Sequence, residues 1–279
     1  MRVHHLNCAT MRPLGGRLID GADGVLRSAE MVCHCLLIET EQGLVLVDTG
    51  FGTSDVQDPR SSLPWAFRRL MRPVLDPEET ALRQVRRLGH DPADVRHIVL
   101  THLDIDHAGG LPDFPHAQVH VFGPELRAAT GPSAPWRYRP GHWAHEPDWI
   151  GYQDLSGERW FGFDAVRALR DLPESILLVP LPGHTTGHAG VAVDTGAGWL
   201  LHAGDAYFFN GEMAPSPHCT PALRAFQRHV DTARALREHN QRRLRELGLD
   251  HPGEIDIICA HDPVELRSHK SARADGNTA

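Results

Sequence analysis

The chain has 279 residues, 41% of them hydrophobic and 23% charged, an ordinary globular composition with enough apolar residues for a sizeable core. A formal net charge of -8 argues against nucleic acid or an anionic membrane as the main partner, and no apolar run reaches the length of a membrane-spanning helix. No signal-peptide pattern opens the chain, and five cysteines (Cys8, Cys33, Cys35, Cys219, Cys259) do not read as a disulfide framework, so a reducing cytoplasm is the expected setting.

In chain order, residues 31–39 and 44–48 read as a hairpin around the Glu41-Gln42-Gly43 turn, ending in Asp48 and the loop Thr49-Gly50-Phe51-Gly52. Cys33-His34-Cys35 looks like a metal-binding fragment. Residues two apart on a strand share a face, however, and free cysteine packs well, so the pair is expected in the core. Asp76-Pro77-Glu78-Glu79 reads as a helix start, with Leu82, Val85 and Leu88 as its apolar stripe and Gly89 as its end. Residues 98–100 form a short buried strand running into His102-Leu103-Asp104-Ile105-Asp106-His107, and Gln118–Phe122 is another strand.

Residues 131–161 differ in texture. They hold Trp136, Trp143, Trp149 and Trp160 with Tyr138, Tyr152 and Phe161 among prolines and glycines, and read as a lid or wall over a pocket. A loop packed by its own aromatics is the plainer alternative. Residues 176–181 form a strand leading to Pro182-Gly183-His184-Thr185-Thr186-Gly187-His188. Residues 190–194 and Trp199–His202 flank a turn and lead to Ala203-Gly204-Asp205. Thr220-Pro221 opens one long amphipathic helix with Leu223, Phe226, Val230, Leu236, Leu244 and Leu247 on one side. Residues 255–259 are the last strand, ending at Ala260-His261-Asp262. Strands and helices mix without a strict βαβ rhythm, so sheets with antiparallel pairs and outer helices are expected, in a single α/β domain over 1–267 with a polar, disordered tail at 268–279.

The chemistry lies at the strand ends. Within six residues His102, Asp104, Asp106 and His107 offer imidazole and carboxylate, the ligands expected for zinc, iron or manganese, on a tight loop that can aim them in different directions. Alone, such a segment is more often an exposed charged turn. Yet His184, Asp205 and His261 each follow an apolar run, where a buried polar group needs a partner or an ion. Four strand-to-loop junctions bearing ligand-type residues point to a metal centre.

Taken in order, Asp48, the 102–107 cluster, His184, Asp205 and His261 resemble the landmarks of the metallo-β-lactamase superfamily. The resemblance implies a four-layer αβ/βα sandwich of two mixed sheets with outer helices and the site at one edge. It further implies two divalent ions bridged by Asp205: His102 and His184 on the first, with Asp104 standing where the family has a histidine, and Asp106, His107 and His261 on the second. Zinc is the expected metal, with manganese or iron as alternatives. Asp48 would organise the site without binding metal, and His188 would brace the His184 loop. Two ions about 3.5–4 Å apart would generate the attacking hydroxide near neutral pH, with Asp106 also moving a proton. Tyr207 is the candidate for stabilising an oxyanion, a core tyrosine being the alternative.

His102-x-x-x-Asp106-His107-Ala108-Gly109-Gly110 with Pro182-Gly183-His184-Thr185-x-Gly187-His188 looks most like the lactonase branch of that family. The branch's catalytic tyrosine sits one residue further on, where this chain has Phe208. The expected reaction is metal-dependent hydrolysis of a lactone or a small carboxylic ester or thioester. A phosphodiesterase, or a non-catalytic metal- or ligand-binding protein with a degenerate first site, is the alternative. The expected partner is a small-molecule substrate, with homo-oligomer formation left open.

Overall fold

The computed structural model of the chain describes every residue except 133, 154–158, 165–168 and 277–279, with the backbone alone for 272–276. Strands β1 (Arg2–Met11), β2 (Met31–Thr40), β3 (Gly43–Val47), β4 (Val95–Val99), β5 (Gln118–Phe122) and β6 (Asp148–Tyr152) form one sheet in that order. It is antiparallel from β1 to β3 and parallel from β3 to β6. Strands β7 (Ile176–Pro180), β8 (Ala189–Asp194), β9 (Trp199–His202) and β10 (Ile255–Ile258) form a second sheet in the order β10-β9-β8-β7, with β9 and β10 parallel and the other pairs antiparallel.

Side-chain alternation sorts the apolar residues into layers. On β2, Leu36 and Ile38 face the interior between the sheets, where Val45, Val47 and Val99 meet Ile176, Leu178, Val191 and Leu200 of the other sheet. Cys35 and Leu37 point the opposite way, joining Leu46, Ile98 and Val119 beneath Ala81 and Val85 of the helix Ala81–Arg87. On the far side Leu177, Val179 and Leu201 pack under Leu244 and Leu247 of the helix Arg234–Asp250. The result is the expected helix–sheet–sheet–helix sandwich. Strands covered on both faces read as continuous apolar runs, which is why β2 and β3 were legible. Each fully buried aliphatic side chain here is worth about 1.5–3 kcal/mol.

Four local expectations need correction. Asp76 caps only a 3-10 turn, Pro77–Glu79, and the helix proper begins after Thr80, whose hydroxyl accepts from the Arg83 amide. The helix expected from Pro221 is two helices, Pro221–Val230 and Arg234–Asp250. Between them Asp231 is extended and its carboxylate binds Arg237, while the amides of Thr232 and Ala233 bond the carbonyls of His184 and Gly183. Docking on the His184 loop replaces the helical bonds those amides would have made. Residues 268–276, expected as a disordered tail, continue a helix, Pro263–Gly276, whose first turn is capped by Asp262 and whose His269 meets Asp256 at 2.6 Å. The last residues of that tail, 277–279, lie outside the described residues. Strands β1 and β6 were not anticipated; polar His4, His5 and Asn7 blur the alternation of β1. Among the described residues no helix is long and apolar enough to cross a membrane.

Candidate metal centre

Four strand ends deliver the candidate ligands to one edge of the sandwich. β4 ends two residues before Thr101-His102, and the short helix Ile105–Ala108 turns Asp106 and His107 inward. β7 leads to His184, β9 to Asp205 and β10 to His261. Gly204, at φ +53, allows the turn into Asp205; a Cβ there would meet His188 Nε2 at 2.6 Å and Thr101 Cβ at 3.0 Å.

Asp205 stands at the centre. Its Oδ2 lies 3.3 Å from His184 Nε2 and 3.8 Å from His102 Nε2. Its Oδ1 lies 3.4 Å from His107 Nε2 and 3.2 Å from His261 Nε2. Asp104 Oδ2 completes the first group, 3.4 Å from His102 Nε2 and 3.2 Å from His184 Nε2. Asp106 Oδ2 completes the second, 3.8 Å from His261 Nε2. Ligands about 2.0–2.2 Å from a tetrahedral ion sit roughly 3.3–3.6 Å apart, so both groups have the spacing of a coordination shell. His102 Nε2, His107 Nε2 and Asp205 Oδ1 are buried with no hydrogen-bond partner, a costly state that a cation would relieve.

The far sides of these ligands are held. Asp48, at φ 56, accepts from the amide and hydroxyl of Thr101 and meets His107 Nδ1 at 2.8 Å. His261 Nδ1 bonds the Val32 carbonyl at 2.7 Å. His188 bonds the Leu181 carbonyl through Nδ1 and accepts the Asp205 amide at Nε2, so it braces both the His184 loop and Asp205. Such outer partners fix the orientation of metal-binding imidazoles. Burial opposes charge on Asp205, yet His261, His107 and His184 around it hold its carboxyl well below the usual carboxylate range.

A profile of the metallo-beta-lactamase superfamily matches residues 29–247. The chain belongs to that superfamily. It is a metal-dependent hydrolase of that superfamily. It is 44% identical over 267 residues, 94% of its length and 81% of the relative's, to a probable metallo-hydrolase of Mycobacterium tuberculosis. It is 29% identical over 248 residues, 85% of its length and 84% of the relative's, to an N-acyl homoserine lactonase of Azorhizobium caulinodans. In structure it matches an N-acyl homoserine lactone hydrolase with N-hexanoyl-L-homoserine at its catalytic metal centre, with a TM-score of 0.71, 20% identity and 95% of both chains covered.

Several residues of this metallo-beta-lactamase centre escaped the sequence reading. Glu125, fully buried, accepts from Leu103 N, Tyr138 Oη, Thr185 Oγ1 and Gly187 N, tying together the loops that carry His102 and His184. Cys33 is buried as expected, but its sulfur lies 3.9 Å from Asp106 Oδ2 and groups with His261, at the border of the second ligand set. Burial, with Asp106 nearby, pushes that thiol well above its ordinary value. Only the alternation of β2 hinted that Cys33 would face the ligands.

Residues 131–161 do reach the centre, through an arginine and not through tryptophans. Arg137 forks Asp104 with Nε and Nη2. Burial opposes charge on Asp104, but Arg137 and then His102 hold its carboxyl well below the usual range. Trp136 is exposed, Trp143 and Trp149 pack beside the helix-covered face of the first sheet, and Trp160 is buried against the second. Residues 133 and 154–158 of this segment lie outside the described residues.

Tyr207 is a correction. Its side chain is fully buried, and its hydroxyl bonds the Ile257 carbonyl at 3.1 Å and Glu265 at 2.9 Å, in the core under the helix Arg234–Asp250. It does not face the ligands, so the oxyanion role expected for it is not available. Consecutive residues after Asp205 point opposite ways, and it is Phe208 that stacks on His261, at 4.9 Å between ring centres.

Proposed function

We propose that this metallo-hydrolase opens a lactone ring, with small carboxylic esters or thioesters as related substrates. The observation that carries the reading is Asp205, with Oδ2 toward His102 and His184, Oδ1 toward His107, and His261 Nε2 3.2 Å from both oxygens. Lactonases among the relatives and fold neighbours support the substrate class.

The second ligand group suits a divalent ion, with His107 and His261 at 3.4 and 3.2 Å from Asp205 Oδ1 and Asp106 3.8 Å from His261. Asp106, His107, Asp205 and His261 would hold it, and two imidazoles with two carboxylates suit zinc first, then manganese or iron. When bound, such an ion polarises the scissile carbonyl and acidifies water. The rest is done by the chain. Asp48 keeps His107 aimed at the ion through the 2.8 Å contact with Nδ1. Asp106, one of the few partly exposed groups of the centre, is placed to pass a proton to the leaving oxygen. Phe208 walls the opposite side with an apolar ring against His184 and His261, limiting water there.

The test is a hydrolysis screen of lactones, thioesters and phosphodiesters on protein reconstituted separately with zinc, manganese and iron. Turnover of lactones above the other classes is expected. Preferred turnover of phosphodiesters would move the chain to the other chemistry of this fold. A protein that holds metal but turns over none of the three would overturn the enzymatic reading.

A further inference from the structure

Resting on that metal-centre reading, we propose that Arg137 is the resident cation of the first position, so that the native centre is one ion plus one guanidinium rather than two ions.

Every N–H of this guanidinium has a partner. Nε donates to Asp104 Oδ1 at 2.6 Å, and Nη2 donates to Asp104 Oδ2 and, at 2.7 Å, to His184 Nε2. Nη1 donates to the carbonyls of His184 at 3.2 Å and Val230 at 2.8 Å. Arginine has five such hydrogens, and all five are placed. This is a built socket and not a passing surface contact: the side chains of Arg137 and Asp104 are only 14% and 13% exposed. The next residue anchors the segment, because Tyr138 pairs with Asp104 through the backbone and bonds Glu125 through its hydroxyl.

The same atoms are those an ion at the first position would need. A neutral imidazole has one acceptor nitrogen. His184 Nε2 lies 2.7 Å from Arg137 Nη2, as well as 3.2 Å from Asp104 Oδ2 and 3.3 Å from Asp205 Oδ2, and Nδ1 faces Asp231 at 3.9 Å; with the imidazole proton on Nδ1, toward Asp231, Nε2 accepts the Arg137 N–H. His184 Nε2 therefore cannot bind an ion while Arg137 is in place. Asp104 is likewise forked at both oxygens. A divalent ion about 2.0–2.2 Å from either ligand would overlap the guanidinium nitrogen and be repelled by its charge. The replacement of the family's histidine by aspartate at 104 then has a reason. A carboxylate accepts a planar fork, which an imidazole cannot do. Arg137 is thus a positioning residue for Asp104 and His184.

The experiment counts ions. The full-length protein is dialysed to equilibrium against buffered zinc, and its zinc per chain is read by plasma mass spectrometry, with cobalt(II) absorption as an independent spectrum of the sites. The natural protein is expected to hold one tight ion per chain. Arg137→Met, which empties the socket while keeping side-chain length, is expected to hold two and to tighten the second ion by at least about tenfold. Arg137→Met combined with Asp104→Ala should return to one, because Asp104 is freed as a ligand only when Arg137 is gone. Arg137→Lys, which keeps the charge without the fork, serves if the Met variant fails to fold and should bind the second ion more tightly than the natural protein does. Two equally tight ions in the natural protein would overturn the proposal and leave the metal-centre reading standing. So would a folded Arg137→Met variant, or Arg137→Lys in its stead, with an unchanged second affinity. No tight ion in the natural protein would instead overturn the metal-centre reading, and the proposal with it.

Discussion

Glu125→Gln is nearly isosteric and removes one acceptor from a fully buried group near the centre that accepts four hydrogen bonds. Oε1 accepts the Leu103 amide and the Tyr138 hydroxyl, each at 3.0 Å. Oε2 accepts the Thr185 hydroxyl at 2.6 Å and the Gly187 amide at 3.0 Å. Whichever oxygen becomes NH2, it meets one hydroxyl and one backbone amide. The hydroxyl can rotate to accept; the amide cannot. One buried N–H is left facing another donor, which costs about 1–3 kcal/mol, and the remaining bonds lose charge assistance worth about another 1 kcal/mol. A loss of about 2–4 kcal/mol is expected, a fall of roughly 5–10 °C in Tm for a chain of this size. Because Leu103 and Gly187 lie beside ligands, metal affinity should fall about 10–100-fold as well. Calorimetry of metal-free protein gives the first quantity and zinc competition with a chelator the second. A variant melting within about 1 °C of the natural protein, with unchanged zinc affinity, would refute this account of Glu125.

Asp205→Ala should abolish hydrolysis and release the ion of the second position, since Oδ1 faces both His107 and His261; residual zinc at natural stoichiometry in the purified variant would contradict that. Tyr207→Phe should leave kcat/KM within about twofold while lowering stability by roughly 1 kcal/mol, the worth of a buried hydroxyl's bonds; a large kcat loss with unchanged stability would restore a catalytic role. Acid should destabilise the metal-free protein in two stages. Burial, then His97 and Arg170, push His120 down to about 3, so the stability it contributes is full above the unfolded value near 6.5 and lost as pH falls toward 3. The depressed carboxyls of Asp48, Asp104 and Asp205 add a loss that begins only below the unfolded carboxylate value near 3.8. Buried His34, His188 and His202, also pushed down chiefly by burial, contribute to the same first stage, so His120→Gln should lessen its slope and leave the second stage, as read by urea unfolding at stepped pH; an unchanged slope would contradict the assignment.

Much was legible in the residues before any fold. Apolar runs announced β2, β3, β4, β7, β9 and β10, and the ligand-type residues after β4, β7, β9 and β10 announced the centre. A polar group straight after a buried strand has few other reasons to be there, and His102, Asp106, His107, His184, Asp205 and His261 do come together. Asp48 and His188 fell where the resemblance put them. What the residues could not reveal were directions and partners across long stretches of chain. Tyr207 and Phe208 are adjacent aromatics, and only the path of the backbone after Gly204 decides which one faces the ligands. Cys33 and Cys35 share a strand face, but one ends in the helix-covered core and the other beside Asp106, because the ligand loops cross that face at only one end of β2. Glu125 looks like any acidic residue in the first turn of a helix until Leu103, Tyr138, Thr185 and Gly187 converge on it. Arg137 carries no motif at all. Its partners Asp104 and His184 lie 33 and 47 residues away along the chain, and a contact of that kind exists only once two sheets and a covering segment have packed against each other.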